Sequence, residues 1–198
     1  MLLYDAPVSG NCYKVRLLLS MRGIPFERRE VDVVDRSGRL ELLGELNPAL
    51  RVPTLVLDSG EPLAESNAIL CYLAEGSELL PADPLERARV LQWLFFEQYS
   101  HEPYIAVVRF WVLFSDAPPG EAEIGSRRDG GYAALDAMER HLATREYLVA
   151  ERYTIADIAL YAYTHVAHEA GFEMQRYPAI ATWLQRIAAQ PGHIPITA

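Results

Sequence analysis

The proline of the Arg51-Val52-Pro53-Thr54 segment stands directly before a short apolar run, residues 55–57. Such a run is typical of a buried strand, and a proline in the turn that enters a strand is a candidate for a cis peptide bond. A cis bond at this point would leave the backbone groups of Val52 outside the sheet ladder. We therefore expect Val52 to offer one donor and one acceptor to an extended, peptide-like ligand.

A second polar segment lies twelve residues after Pro53, where Glu65 and Ser66 precede an apolar run at residues 68–70. Ser66 is a good N-cap for a helix that starts there, and the backbone amides of a helix start bind anions such as a carboxylate. Glu65 adds a negative charge beside that site. The two segments are therefore suited to a ligand with both an ammonium and a carboxylate, which is the head group of an amino acid.

The first eighty residues alternate between strand and helix patterns. Residues 2–4 form a short apolar strand, and residues 26–33 show the period-two alternation of a half-exposed strand. A helix is predicted over residues 11–22, a short one ends near residue 47, and further strands follow Pro53 and include residues 62–63. The order strand, helix, strand, helix, strand, strand, helix predicts an α/β unit with a mixed sheet.

With these residues at these spacings, the chain resembles the cytosolic glutathione transferases over essentially its whole length. The resemblance implies a thioredoxin-like, glutathione-binding domain with a mixed four-stranded sheet at residues 1–77. It also implies an all-helical C-terminal domain at residues 84–198. Within the family, the chain is similar to soluble bacterial members with a serine or an asparagine near the start of the first helix.

The resemblance places the chemistry in the loop from Pro7 to Lys14, where Ser9, Asn11 and Cys12 present a hydroxyl, an amide and a thiol. A free thiol with a pKa of about 8.5 is only a few per cent ionised at pH 7. One hydrogen bond to a charged group supplies about 1.5–3 kcal/mol, so one donor and the helix dipole suffice to ionise glutathione. Ser9 matches the catalytic serine of the serine-type classes and is the first candidate for the thiolate donor, followed by Asn11.

Two other residues near this loop have simpler interpretations. Cys12 suggests the mixed disulfide of the bacterial cysteine-type members, but their cysteine lies earlier in the loop, and a small buried residue is the alternative. Tyr4 lies in the strand where the tyrosine-type members keep their catalytic hydroxyl. A tyrosine in a strand usually serves packing.

The remaining site predictions concern the ends of the two substrates. Arg51 is a candidate partner for the glycyl carboxylate of glutathione, because many relatives carry a basic residue two positions before the proline, and Arg39 is a weaker candidate. With Val52, Pro53, Glu65 and Ser66, Arg51 completes the predicted glutathione site. The electrophile pocket is expected against the long helix of the second domain. This helix carries a stripe of aromatic residues, and such a stripe also suits a core or a dimer interface. The candidate residues of the pocket are Tyr99, Tyr104, Val108 and Arg109.

Composition excludes several classes of protein. The formal net charge of −9 and the isoelectric point near 5.0 exclude a nucleic-acid-binding protein, which needs a basic surface. The two cysteines, Cys12 and Cys71, lack metal-ligand spacing and cannot build a disulfide scaffold, so we expect no metal. We find no leader pattern and no apolar run of about eighteen residues, and expect a cytoplasmic protein without membrane association.

Beyond a boundary at residues 76–84, the sequence reads as helical throughout. A long aromatic helix is predicted over residues 84–114 with a kink at Pro103, followed by a helix over residues 121–142. Thr154 and Asp157 form a capping box, which marks the start of the next helix and gives Asp157 a structural role. The last predicted helix covers residues 178–189.

We interpret the chain as a homodimeric, glutathione-dependent detoxification enzyme. It would activate the thiol of glutathione, its co-substrate, for attack on a small hydrophobic electrophile. Two alternatives stay open: a glutathione-dependent oxidoreductase that acts on disulfide bonds, and a non-catalytic interaction protein with the same fold.

Overall fold

The computed structural model describes residues Met1–Ala198 and divides them between two units. The first unit contains Met1–Glu75 together with Gln190–Ala198, and the second contains Gly76–Ala189. The last nine residues therefore belong to the first unit and not to the helical domain, in which the sequence analysis placed them. They pack with the first unit because side chains of its first helix bind their backbone carbonyls.

A mixed four-stranded sheet organises the first unit. Its strands are β1 (Leu2–Asp5), β2 (Glu27–Glu30), β3 (Thr54–Val56) and β4 (Pro62–Ala64), in the order β2-β1-β3-β4. Strand β1 runs parallel to β2 and antiparallel to β3, and β3 runs antiparallel to β4. The predicted mixed sheet is confirmed. Strand β2 is shorter than predicted and all four of its side chains are exposed, as suits an edge strand.

Three helices accompany this sheet: α1 (Gly10–Met21), α2 (Arg39–Leu43) and α3 (Ser66–Ala74). Helices α1 and α3 pack against each other. Leu3 and Leu55, which pair across β1 and β3, are fully buried, as are Leu18 of α1 and Ile69 of α3. This packing brings the N-terminal ends of α1 and α3 together, because Lys14 and Asn11 of α1 both contact Ser66 of α3.

The second unit is helical, as predicted. Its helices are α4 (Pro84–Phe96), α5 (Glu102–Phe114), α6 (Glu121–Leu142), α7 (Ile155–Thr164) and α8 (Pro178–Ala188). A π-helical turn, Glu97–His101, joins α4 to α5 directly before Pro103, where the sequence predicted a kink. No helix of the chain has both the length and the apolar character needed to cross a membrane.

The start of α7 confirms the predicted capping box. The Asp157 carboxylate accepts hydrogen bonds from the backbone N–H and the hydroxyl of Thr154, at 2.9 and 3.1 Å. It also accepts from the Leu148 N–H at 3.0 Å and from Trp183 Nε1 at 2.9 Å. Asp157 is fully buried and joins three segments of the helical unit, so its role is structural.

Candidate functional site

Ser9 caps the N-terminus of α1. Its backbone is extended (φ −80°, ψ 122°), and its Oγ accepts a hydrogen bond from the Cys12 N–H at 3.3 Å. An N-cap serine uses a lone pair of its oxygen for this bond, so its hydroxyl can still act as a donor. In the structure this hydroxyl interacts with the thiol of Cys12. Ser9 is half-buried, so it combines a hydroxyl donor with the anion-favouring end of a 12-residue helix.

Cys12 lies behind this loop. The side chain is fully buried, and its Sγ accepts a hydrogen bond from the Ala6 N–H at 3.3 Å. Burial, and secondly the negative charge of Asp5, raise the pKa of the Cys12 thiol to about 12. Because a protonated thiol is a poor nucleophile, the geometry supports the interpretation of Cys12 as a small buried residue.

Lys14, which the sequence analysis did not assign to the site, connects α1 to α3. Its Nζ donates to Asn11 Oδ1 at 2.8 Å and to Ser66 Oγ at 3.3 Å. The Ser66 hydroxyl donates in turn to Asn11 Oδ1 at 3.1 Å. We call these three residues the Lys14 triangle. The sequence signals that could have found it are that Lys14 is the only lysine of the chain and lies three residues after Asn11.

The prediction that Ser66 is the N-cap of α3 is wrong. Helix α3 begins at Ser66 itself, and Glu65 occupies the N-cap position without a side-chain cap. Glu65 adopts a positive φ of 67°, which turns the chain so that Ser66 already lies in the helix and its hydroxyl faces Asn11. A ligand at this helix start would therefore meet the backbone amide of Ser66.

Glu65 is exposed as well as strained. A non-glycine residue in such a backbone conformation costs about 1–3 kcal/mol, and residues strained in this way are concentrated at functional sites. The exposed carboxylate stands beside the start of the nine-residue helix α3. This arrangement keeps the opposite-charge pattern that the sequence predicted for an amino-acid head group.

The Val52–Pro53 peptide bond is cis, as predicted. The sheet ladder starts at Thr54, opposite Tyr4, so the backbone of Val52 lies outside it. Asn47, which sequence reasoning missed, braces this segment: its Nδ2 donates to the Arg51 carbonyl at 2.9 Å and to Thr54 Oγ1 at 3.1 Å.

The structure separates the two candidate arginines. Arg51 is exposed, and its side chain is available to a ligand carboxylate. Arg39 is buried, and its guanidinium donates to the carbonyls of Leu50 and Asp32 at 3.3 and 2.9 Å. Arg39 therefore ties two loops together through its guanidinium.

Tyr4 and the predicted pocket residues lie in different surroundings. Tyr4 is 6% exposed and packs with Val31 and Leu43, as expected for a strand tyrosine. In the helical unit, Val108 is buried and Arg109 forms an ion pair with Glu169 at 2.6 Å. Tyr104 is half-buried and Tyr99 is 84% exposed. The electrophile pocket stays a prediction.

A buried arginine, which sequence reasoning missed, holds the backbone of this loop. Arg16 of α1 pairs with Asp5 at 2.6 Å and donates to the carbonyls of Ala6 and Pro7, at 3.3 and 3.0 Å. It also donates to the carbonyl of Ile196 in the C-terminal tail, at 2.5 Å. Arg16 thus fixes the backbone that leads to Ser9. The chain contains no cluster of three or more histidine, cysteine, aspartate or glutamate side chains arranged to hold a metal ion.

Comparison with known proteins agrees with this geometry. Residues 3–79 match the family described as glutathione S-transferase, N-terminal domain, and residues 94–191 match glutathione S-transferase, C-terminal domain. The crystal structure of a glutathione S-transferase from Pseudomonas fluorescens is 49% identical, with a TM-score of 0.95, and the match covers 100% of this chain and 98% of that one.

Two curated relatives differ in their described activities. Glutathione S-transferase 3 of Zea mays is 31% identical, and the match covers 96% of this chain and 90% of that protein. A disulfide-bond oxidoreductase of Escherichia coli is also 31% identical, over 96% of this chain and 91% of its own length.

Proposed function

The chain belongs to the glutathione S-transferase family, and we propose that it binds glutathione as co-substrate and transfers its thiolate to a small hydrophobic electrophile, as a cytoplasmic homodimer. The observation that carries this proposal is Ser9 at the start of α1. Its lone pair accepts the capping hydrogen bond, and its hydroxyl, which contacts the Cys12 thiol in the structure, would turn to donate to a bound thiolate beside the positive end of the helix dipole.

The surroundings of Ser9 suit each part of glutathione. The exposed Glu65 carboxylate suits the ammonium of the γ-glutamyl group, and the Ser66 amide at the start of α3 suits its carboxylate. The backbone of Val52 lies outside the sheet ladder and suits the peptide backbone of the cysteinyl residue. The exposed Arg51 suits the glycyl carboxylate. Tyr104, Val108 and Arg109 of α5 remain the candidates for the electrophile pocket.

The proposed chemistry needs no general base. Binding beside Ser9 and Asn11 favours the ionised form of the thiol, whose proton leaves to solvent. Lowering the pKa by two units takes about 2.7 kcal/mol, which one hydrogen bond of about 1.5–3 kcal/mol to a charged sulfur supplies. The thiolate then attacks the electrophilic carbon, a carbon–sulfur bond forms, and the leaving group departs with its electron pair.

The test is the pH profile of turnover with an aryl halide. Ser9→Ala should raise the apparent pKa by about one to two units, roughly 1.4–2.7 kcal/mol, with little change in glutathione affinity. Asn11→Ala should have the smaller effect. Ser59→Ala, in the exposed turn between β3 and β4, is the matched control. A Ser9→Ala protein with the parental pH profile would contradict the role of Ser9.

Reduction of disulfide bonds is the second candidate, because the Escherichia coli relative is a disulfide-bond oxidoreductase. In that reaction two glutathione thiols are oxidised to glutathione disulfide while the substrate disulfide is reduced. Asn11→Ala would then have the larger effect. Because Cys12 is buried and protonated, we expect Cys12→Ser to stay active, and mass spectrometry after treatment with oxidised glutathione to find no adduct on Cys12.

A substrate panel distinguishes these possibilities. Binding to immobilised glutathione shows whether the site is occupied at all, and an aryl halide, a peroxide and a mixed disulfide then show which reaction follows. Conjugation of the aryl halide supports the transferase proposal. A protein that binds glutathione and turns over none of the three would instead be an interaction protein with the transferase fold.

A further inference from the structure

The three residues of the Lys14 triangle are joined to one another by hydrogen bonds, and each of these bonds has a defined direction. An ammonium can only donate, so Asn11 Oδ1 and Ser66 Oγ both act as acceptors toward Lys14 Nζ, at 2.8 and 3.3 Å. The Ser66 hydroxyl then spends its one proton on Asn11 Oδ1, at 3.1 Å. Asn11 Oδ1 therefore receives two donors.

Two donors on the same oxygen decide how the Asn11 carboxamide is oriented. The donors around a side-chain amide determine which end is oxygen and which is nitrogen. Because Oδ1 faces Lys14 and Ser66, the Nδ2 group, which is the donor end, lies on the opposite side of the carboxamide. The opposite orientation would place Nδ2 against the donors Lys14 and Ser66 and would turn the amide oxygen, which repels a thiolate, to the other side.

The position of Lys14 is unusual for a lysine. The residue is fully buried, although lysine is almost never fully buried in proteins. It also contacts residues in the first turns of α1 and α3, where the helix dipoles favour negative rather than positive charge. Its ammonium is instead accommodated by hydrogen bonds to Asn11 and Ser66.

We propose that Lys14 is a positioning residue, which turns the amide end of Asn11 toward the bound thiolate through its hydrogen bonds to Asn11 and Ser66. This inference rests on the proposed function, since the thiolate is that of glutathione. The triangle also links the thiol-binding loop to the start of α3, which we propose binds the γ-glutamyl group. Lys14 thereby holds the two halves of the glutathione site in register.

The first experiment needs no glutathione. The chain contains three asparagines, Asn11, Asn47 and Asn67, and a single lysine, so selective nitrogen-15 labelling gives few signals to assign by NMR. The Lys14 Nζ signal should differ between the parent protein and the Asn11→Ala variant, because the Lys14 and Asn11 side chains are hydrogen-bonded in the parent. Lys14→Met should shift the side-chain amide signals of Asn11 and speed their exchange with water. If the chemical shift of Lys14 Nζ is the same in the parent and in Asn11→Ala, the proposal is overturned. This outcome does not require a folded Lys14→Met variant.

The second experiment measures the pKa of bound glutathione from its thiolate absorbance. Because Asn11 is the weaker of the two donors, Lys14→Met should lower the thiolate population by up to about tenfold, which is one pKa unit, and Lys14→Arg should restore most of it. In an Asn11→Ala background, Lys14→Met should change little further, because Lys14 acts through Asn11. Arg36→Met, which removes an exposed positive charge from the same unit, is the control.

The outcomes separate this inference from the proposed function. Equal effects of Lys14→Met with and without Asn11 would mean that the charge acts directly on the sulfur, which overturns the positioning role. If the parent protein binds no glutathione, the proposed function fails. The labelling experiment still decides whether Lys14 fixes Asn11.

Discussion

Arg39 and Arg51 carry the same guanidinium group in opposite surroundings. Arg39 is 8% exposed and satisfies two backbone carbonyls, whereas Arg51 is exposed to solvent. The presence of an arginine in this unit is thus not sufficient to define a ligand contact. What distinguishes the two is the set of groups already bound to each side chain.

These two arginines should respond in opposite ways to the same substitution. Arg39→Gln should lower the unfolding free energy by about 1–3 kcal/mol, because buried carbonyls lose their donors, and leave the glutathione affinity of the folded protein unchanged. Arg51→Gln should weaken glutathione binding about tenfold or more by removing a charge-assisted contact, with little effect on stability. Denaturant titration and calorimetry measure the two effects. A binding defect in the Arg39 variant alone would reverse our assignment.

The start of helix α7 depends on Asp157, which is also the buried group with the clearest pH dependence. Burial raises the pKa of Asp157 from 3.8 to about 6, while hydrogen bonds led by that of Trp183 oppose the rise. Because the folded-state pKa lies above the unfolded value, the folded protein binds more protons between these pH values. The contribution of Asp157 to stability is therefore largest below about pH 4 and is lost as the pH rises to about 6.

Comparison with Asp157→Asn isolates this contribution. The unfolding free energy of the parent minus that of the variant should fall by about 2 kcal/mol between pH 4 and pH 6. The full shift is worth about 3 kcal/mol at about 1.36 kcal/mol per unit, and part of it lies outside this pH range. Denaturant unfolding at several pH values measures the difference. If that difference is constant or rises with pH, the carboxyl is already ionised in the folded state at pH 4.

The C-terminal tail is a second element whose role is structural. Tyr13 donates to the carbonyl of Ile194 at 2.6 Å, and Arg16 and Arg28 donate to those of Ile196 and Ala198, at 2.5 and 2.8 Å. Each of these three hydrogen bonds contributes about 0.5–1.5 kcal/mol, so removal of residues 193–198 should lower the unfolding free energy by about 2–4 kcal/mol. Hydrogen exchange should become faster in α1. Tyr13→Phe, which removes one of these bonds, should show about a third of the loss, and a truncated chain as stable as the parent would contradict this role.

The molecule as a whole carries an exposed aromatic pair on its helical unit. Phe95 and Tyr99 lie four residues apart and are 71% and 84% exposed, and Leu85 of the same helix is 59% exposed. Large exposed apolar side chains at helical spacing mark a protein interface, and a self-complementary patch makes a two-fold dimer. This patch is the basis for the proposed homodimer.

Light scattering tests the assembly. The parent protein should be a dimer at micromolar concentration, and Phe95→Glu combined with Tyr99→Glu should make it a monomer, because two charges per subunit would be buried unpaired. Leu40→Glu, which changes an equally exposed side chain on α2 of the first unit, should leave the dimer intact. A parental monomer would rule out this interface.

Much of the fold follows from local sequence. The succession of strands and helices along the first unit, the cis proline before β3 and the capping box of α7 each depend on residues within a few positions of one another. Their physics is local: backbone preferences of proline, alternation of polar and apolar residues, and a cap within one helical turn. The resemblance to the glutathione transferases rests on those same short segments, and it identified the family correctly.

The tertiary structure decided which candidate side chains can act. Lys14 and Ser66 are 52 residues apart in sequence, and Arg16 and Ile196 are 180 apart, yet each pair is hydrogen-bonded. Cys12 and Arg39 have chemically suitable groups, but both are buried and hydrogen-bonded to the backbone. Ser66 was predicted to cap α3, and the packing of α1 against α3 instead turned its hydroxyl to Asn11. The residue types set the available chemistry, and the packing of distant segments determined which donors face a ligand.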